Sequence, residues 1–206
     1  KQVSQEEEQL VRKYIQKNKI DLLEGYGSVE SRFSLRVVPM NSEPYLVKTE
    51  SILIATGSRP SRPAEIPFDG WRVVDTEELL MLESIPKSLV ICGAGVTGCE
   101  YACIFGALGI NVSVVDLRDR ILKNLDREIG NELKKSMEAL GIKFYLNSEI
   151  KKLRVDGPQI NIDIGSEIIE TDLFCFAAGR KPSTKKMGLE KVGIEINNSG
   201  NIVVNE

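Results

Sequence analysis

The sequence predicts an α/β protein: a parallel sheet carrying helices and an antiparallel β-meander, joined to part of a second, related domain. Three observations carry that prediction. Leu89-Val90-Ile91-Cys92 is an apolar run of strand length, and it passes at once into Gly93-Ala94-Gly95-Val96-Thr97-Gly98 and then into Cys99 to Leu108, small and apolar without proline, as a helix would be. A second apolar run, Val112 to Val115, ends in Asp116. Two further runs end alike, Ile52-Leu53-Ile54-Ala55-Thr56-Gly57-Ser58-Arg59-Pro60 and Phe174-Cys175-Phe176-Ala177-Ala178-Gly179-Arg180-Lys181-Pro182, and read as equivalent edges of two related domains.

Taken in order, Gln5 to Asn18 places Leu10, Val11, Tyr14 and Ile15 on one helical face. Glu6-Glu7-Glu8 lies near the start of that helix and Lys13 and Lys17 near its end, which suits the helix dipole. Ile20 to Leu23 reads as a short strand leading into Gly25-Tyr26-Gly27, a turn or a close backbone approach. Phe33 to Val38, Tyr45 to Val47 and Ser51 to Ala55 predict a small antiparallel meander, the last of them a buried strand with Thr56-Gly57-Ser58 at its tip. Pro60, Pro63, Pro67 and Gly70 predict a linker between domains. Asp75-Thr76 opens a short helix through Leu82, with Glu78 placed to close a capping box.

Beyond the glycine-rich turn, Leu117-Arg118-Asp119-Arg120 is a charged loop, and an amphipathic helix runs from about Asp126 to Leu140 with Gly141 ending it. Lys143 to Leu146 is the next strand. Glu149 to Val155, Gln159 to Ile164 and Glu167 to Glu170 form a second meander, with Asp156-Gly157 as its hairpin signal. Asp172 to Ala178 is a buried strand ending at Gly179, and Gly200 to Asn205 begins another. The domains divide at 1–68, 69–195 and 196–206.

Strand, glycine turn, helix and a second strand ending in an acid form the context that the dinucleotide fingerprint requires, with the acid at about the expected 20 residues from the first glycine. Gly93 permits the tight turn, Gly95 lets the backbone approach a pyrophosphate, and Gly98 lets helix and strand pack closely. Ala94, Val96 and Thr97 complete the turn, whose N–H groups and helix dipole favour an anion. The bland alternative is a tight βα turn that binds nothing, with Asp116 an ordinary exposed acid. Arg118 and Arg120 are either solvated loop charges or partners for the 2′-phosphate of NADP, a phosphate that Asp116 repels. Glu100 is either a helix N-terminal acid stabilised by the dipole or, since an acid beside a phosphate site is electrostatically odd, a residue with another role.

Composition excludes several classes. The chain has 206 residues, 42% hydrophobic and 28% charged, which suffices for a core and argues against disorder. Its net charge of −3, with signs interspersed, gives no case for nucleic acid or a membrane surface. No apolar run approaches the roughly 18 residues of a membrane span, and the polar start carries no signal peptide. Lys1 rather than Met points to a piece of a longer chain. Cys92, Cys99, Cys103 and Cys175 lack zinc-like spacing and read as buried, reduced thiols of a cytoplasmic protein, with no metal site. Without histidine, the chain lacks the commonest general base. Tyr26 and Trp71 read as core or interface residues.

Ala-Thr-Gly-Ser-Arg-Pro (55–60), Gly-Ala-Gly-Val-Thr-Gly-Cys-Glu-Tyr-Ala (93–102) and Ala-Ala-Gly-Arg-Lys-Pro (177–182), in this order and spacing, resemble the flavin-dependent pyridine nucleotide-disulfide oxidoreductases. Arg118-Asp119-Arg120-Ile121-Leu122 with Leu125-Asp126-Arg127-Glu128-Ile129 looks most like the branch that exchanges hydride between NAD(H) and NADP(H), with dihydrolipoyl dehydrogenase as neighbour. The resemblance covers essentially the whole chain. It implies a Rossmann-like FAD/NAD(P)-binding fold: the rear of an FAD domain, a full NAD(P) domain and the first return into the FAD domain. It places Gly27 near the FAD adenosine, Thr56, Gly57 and Ser58 over the flavin cofactor, Gly93 to Gly98 at the NAD(P) pyrophosphate and Asp116 at the adenosine ribose. Glu100 falls near the nicotinamide, Gly179 along the same groove, and Arg180 at the domain seam.

The resemblance further implies a homodimeric parent, with FAD-binding and dimerisation segments outside this sequence, and an isolated chain that neither holds FAD tightly nor turns over. No residue needs to act as nucleophile or base, because the cofactors carry hydride transfer. A disulfide reductase and a non-catalytic NAD-binding module stand as the alternatives.

Overall fold

The computed structural model describes residues 2–205. The chain divides into two compact units, one formed by Lys1–Gly57 with Pro182–Glu206 and the other by Ser58–Lys181. The sequence places those divisions at 69 and 195. They fall elsewhere because 182–195 packs with the first segment: Val29 N–H donates to Met187 O at 2.7 Å, and Val29, Met187 and Leu189 form one buried cluster.

In the first unit, α1 (Gln2–Lys17) precedes an antiparallel sheet of β1 (Tyr26–Ser31), β2 (Ser34–Val38) and β3 (Tyr45–Lys48), in that order. Two expectations change here. Ile20 to Leu23 is not a strand; the first strand starts at Tyr26 and absorbs Gly27. Gly25 is the close approach, since a Cβ there would lie 2.7 Å from Val38 O. Nor do Ser51 to Ala55 join the sheet. Ile52 and Ile54 pack on the Val29 cluster while Leu53 is 92% exposed, so the run alternates like a strand without a ladder partner among the described residues.

In the second unit, β4 (Ser58–Pro60) leads through the proline-rich segment to β5 (Val73–Asp75) and a 3-10 helix (Glu78–Met81). The capping box expected of an α-helix forms on this shorter turn: Asp75 accepts from Glu77 N and Glu78 N, and Glu78 accepts from Asp75 N. Then come β6 (Ser88–Cys92), α2 (Val96–Ala107), β7 (Asn111–Val115), α3 (Arg127–Ala139) and β8 (Lys143–Tyr145). Asp126 caps α3 by accepting from Glu128 N at 2.8 Å. A meander of β9 (Lys152–Asp156), β10 (Gln159–Asp163) and β11 (Ile168–Thr171) turns between the first two where the hairpin was expected, but through Gly157-Pro158, with Gly157 at φ +58 and Asp156 paired to Gln159 as the last residue of β9. The unit closes with β12 (Leu173–Phe176) and β13 (Arg180–Pro182), which pairs with β4.

Five of these strands form one parallel sheet, ordered β5-β12-β6-β7-β8. Both faces are covered, which explains why β6 and β12 read as continuous apolar runs. Leu89, Ile91, Val112, Val114 and Cys175 pack in one cluster with Cys99 and Ala102 of α2 and Met137 of α3. Val90, Val115 and Phe174 pack in another with Ile160, Ile162 and Ile169 of the meander. The proline-rich segment is no free linker, because Ile66 and Phe68 rest against that second cluster and Phe68 meets Phe176 edge-on.

The first unit closes with a 3-10 helix (Leu189–Val192) and, in place of the expected last strand, a single bridge between Ile196 and Ile202.

Candidate functional site

β6 lies at the point where the strand order reverses: β7, which follows it in the chain, pairs on one side and β12 on the other. Open α/β sheets present a ligand crevice at such a point, beyond the carboxyl ends of the strands. Here it is a cavity of about 660 Å³, lined by Cys92, Gly93, Gly95, Val96, Thr97, Val115 to Arg118, Ser148 to Ile150 and Phe176 to Arg180, with Pro63, Glu65, Ile66 and Thr76 on the proline-rich side.

The three glycines of the turn do three separable things. Gly93 has φ +116, and a Cβ on it would lie 2.8 Å from the Ala177 carbonyl of β12's loop. Gly98 is held by close packing, since its Cβ would lie 1.9 Å from Gly93 O. Gly95 has neither constraint. Its φ is −79, and a Cβ would meet nothing within 4 Å. Gly95 is also the N-cap of α2 and provides no side-chain cap, so the first-turn N–H groups have no intrahelical acceptor and no capping oxygen. An uncapped helix start beside a bare backbone and an open cavity suits an anionic group such as a diphosphate.

Ala94 is buried beneath the turn and ties it to the next strand. Its N–H donates to Asp116 Oδ2 at 2.6 Å, its carbonyl accepts Leu122 N–H at 2.9 Å, and Gly93 N–H donates to Val115 O at 2.8 Å. Asp116 is 6% exposed. Its Oδ1 accepts Arg118 N–H and Nε at 2.8 Å each, and its Oδ2 accepts Arg118 Nη2 at 2.6 Å. Burial alone would push this carboxyl up; the Arg118 side chain, then the Ala94 and Arg118 amides, outweigh it and hold it below the usual carboxylate range.

The opposite end of the cavity is held by a second ionic network. Arg62 bonds Asp75 Oδ2 at 2.7 Å and Glu78 Oε1 at 2.6 Å while standing over the Phe68 ring at 5.1 Å. Burial raises the Asp75 carboxyl, but the Glu78 amide and Arg62 prevail and lower it. Ser61 N–H donates to Gly179 O at 3.0 Å, and Arg180 bonds Ser58 Oγ at 2.8 Å and Glu77 at 3.2 Å.

Of the residues expected at the site, Gly93, Gly95, Val96, Thr97, Asp116 and Gly179 line this one cavity, with Ala94 and Gly98 packed directly behind it. Arg118 lines it too, whereas Arg120 turns to Lys123 O at 2.9 Å. Glu100 is exposed on α2 and is not among the lining residues. Gly27, Thr56 and Gly57 belong to the first unit, and Ser58 opens the second. One cavity of the first unit, about 290 Å³, is lined by Val29, Arg32, Ile52, Ile54, Val192 and Ile194.

Sequence reasoning passed over Cys92, Phe176, Ile150, Thr76 and the Pro63–Ile66 wall. Alternation along β6 could have placed Cys92 on the meander face at the cavity edge; the others come together only through strand pairing. The four thiols are free, with Cys99 and Cys175 buried and Cys92 and Cys103 half-buried. Trp71 is exposed, with the Arg72 guanidinium 4.0 Å over its ring, and Tyr26 donates from its hydroxyl to Lys185 O. No helix among the described residues is long and apolar enough to cross a membrane.

Residues 1–206 match the family model for pyridine nucleotide-disulphide oxidoreductases. Over 195 residues the chain is 38% identical to the soluble pyridine nucleotide transhydrogenase of Pseudomonas syringae pv. syringae and 37% identical to that of Pseudomonas fluorescens, covering 94% of this chain and 42% of each relative. Among solved structures, the HOCl-induced flavoprotein disulfide reductase RclA from Escherichia coli superposes with a TM-score of 0.82 at 27% identity, over 90% of this chain and 42% of that one. LpdA from Mycobacterium tuberculosis, at 23% identity and a TM-score of 0.83 over the same shares, shows the same fold.

Proposed function

The chain belongs to the pyridine nucleotide-disulphide oxidoreductase family, and from that membership we propose that Ser58–Lys181 binds a nicotinamide dinucleotide, NAD(H) or NADP(H), along the carboxyl edge of its parallel sheet. The observation that carries the reading is Gly95: a glycine with no conformational or packing need for being one, at an uncapped helix start, facing a 660 Å³ cavity. The first-turn amides of α2 take the diphosphate, Asp116 takes the adenosine ribose, and the Gly179 end takes the nicotinamide. Glu100 stands near that end on the strength of the resemblance alone.

In the whole protein the reaction is hydride exchange between NAD(H) and NADP(H) through FAD, which accepts hydride from one nicotinamide and returns it to another. The names of the Pseudomonas relatives support this reading. Gly27, Thr56, Gly57 and Ser58 contribute to the FAD side. The chain spans 42% of those relatives, so the remaining flavin contacts and the homodimer contacts come from the rest of the protein, and this portion alone does not turn over. The protein works in the cytoplasm, where its free cysteines stay reduced. A disulfide reductase is the second reading, favoured by the likeness to RclA.

Titration with NADH, followed by nicotinamide fluorescence, tests the site: saturable binding is expected, with loss in Gly95→Val at unchanged melting temperature. Assay of the full-length protein with NADPH and thio-NAD, against a dithiol–disulfide couple, separates the two activities.

A further inference from the structure

A carboxylate offers roughly four lone-pair positions, and at Asp116 all are taken. Two go to main-chain amides fixed by the turn and the loop, Ala94 N–H and Arg118 N–H. The other two go to the forked donors Nε and Nη2 of Arg118, one on each oxygen. A ribose offering two vicinal hydroxyls to this acid would have to compete for positions that these donors hold. The Arg118 side chain is 37% exposed and lines the cavity, whereas the Asp116 side chain is 5% exposed, so the arginine is the member of the pair free to leave.

We propose that Arg118 is an internal stand-in for the adenosine ribose, occupying the acid in the free protein, so that its release sets the balance between NAD(H) and NADP(H). The inference rests on the dinucleotide reading of the site. An unphosphorylated ribose must displace a bidentate, charge-assisted contact to reach Asp116, and such contacts are among the stronger hydrogen bonds. A 2′-phosphate instead offers the departing guanidinium an anionic partner, so the cost of opening the pair is offset within the complex. The same side chain therefore opposes one cofactor and favours the other.

The experiment is a pair of titrations, NADH and NADPH, on the protein, Arg118→Ala, Arg118→Lys and Gly95→Val, with melting curves for each. In Arg118→Ala, NADH binding is expected to tighten threefold or more and NADPH to weaken tenfold or more. Arg118→Lys keeps the charge and loses the fork, so NADH is expected to tighten while NADPH stays within threefold of the unaltered protein. Equal weakening of both nucleotides in Arg118→Ala and Arg118→Lys overturns the inference, because it makes Arg118 a mere support for Asp116. That result leaves the site itself intact if Gly95→Val abolishes binding. Failure of the unaltered protein to bind either nucleotide overturns both.

Discussion

A Cβ added to Gly98 would stand 1.9 Å from the carbonyl oxygen of Gly93, while one added to Gly95, in the same turn, would touch nothing within 4 Å. One motif therefore contains a glycine that packing requires and a glycine that neither packing nor conformation requires. Gly98→Ala is expected to destabilise the protein by about 3 kcal/mol, because backbone rather than a flexible side chain must give way. Gly95→Val is expected to leave thermal stability within about 1 kcal/mol and remove nucleotide binding. Melting curves and NADH titrations on both variants check the contrast; equal melting temperatures for the two would refute it.

Asp116, Asp75 and Asp69 all titrate below their ordinary 3.8 because amides or arginines outweigh their burial. A folded pKa below the unfolded one adds stability above about pH 4, and that stability is lost as pH falls through the folded value. Asp116→Asn is therefore expected to cost about 2 kcal/mol at pH 7, the order of hydrogen bonds to a charged group. The gap to the unaltered protein should close towards pH 2. Urea denaturation across pH 2–7 measures it, and a gap independent of pH would show that the carboxylate charge contributes nothing.

Arg62 ties the Pro63–Ile66 wall to Asp75 and Glu78. Arg62→Ala should loosen that wall without unfolding the sheet, since the guanidinium is half-exposed and the buried Asp75 carboxylate keeps the Glu77 and Glu78 amides as donors. The expected result is faster proteolytic cleavage within 61–68 and a loss of nucleotide affinity on the order of 1 kcal/mol. Arg62→Lys, which keeps one charged contact, should recover part of both. An unaltered cleavage pattern would mean that Ile66 and Phe68 hold the segment unaided.

Burial pushes the thiols of Cys92 and Cys175 up to about 12 and that of Cys99 to about 11, with neighbouring charges adding to it. The thiolate is the nucleophile, so these cysteines should resist iodoacetamide at pH 8 in the folded protein and react on unfolding. Mass spectrometry of alkylated peptides reads this directly. Saturating NADH should slow whatever modification Cys92 shows, because Cys92 lines the cavity, while Cys175, packed on the helix-covered face of the sheet, should be indifferent to it.

What the sequence disclosed depended on the range of the interactions. The β6–α2–β7 stretch was legible because its constraints are local: a positive φ at Gly93, an open face at Gly95 and a clash at Gly98 all arise within one turn. The Asp75–Glu78 capping box was legible for the same reason, although the helix it caps is only a 3-10 turn. Ile52 to Ala55 was read as a paired strand because apolar alternation reports burial, and burial does not supply a hydrogen-bonding neighbour. The prolines of 60–67 suggested a linker because composition cannot show that Ile66 and Phe68 find the meander face. Spacing singled out Asp116 but could not show that Arg118 would claim both its oxygens, since it says nothing of side-chain direction.

The second unit begins and ends at one place: Ser61 N–H meets Gly179 O, and Arg180 grips Ser58. In the first unit, the residues bracketing that excursion already touch, with Ser183 N–H donating to Gly57 O at 2.9 Å. The chain is thus built as a host with a self-contained insert, whose removal and replacement by a short splice would leave the host's path in register. A gene encoding such an arrangement can trade the inserted unit for another by recombination at two neighbouring points without redesigning what surrounds it.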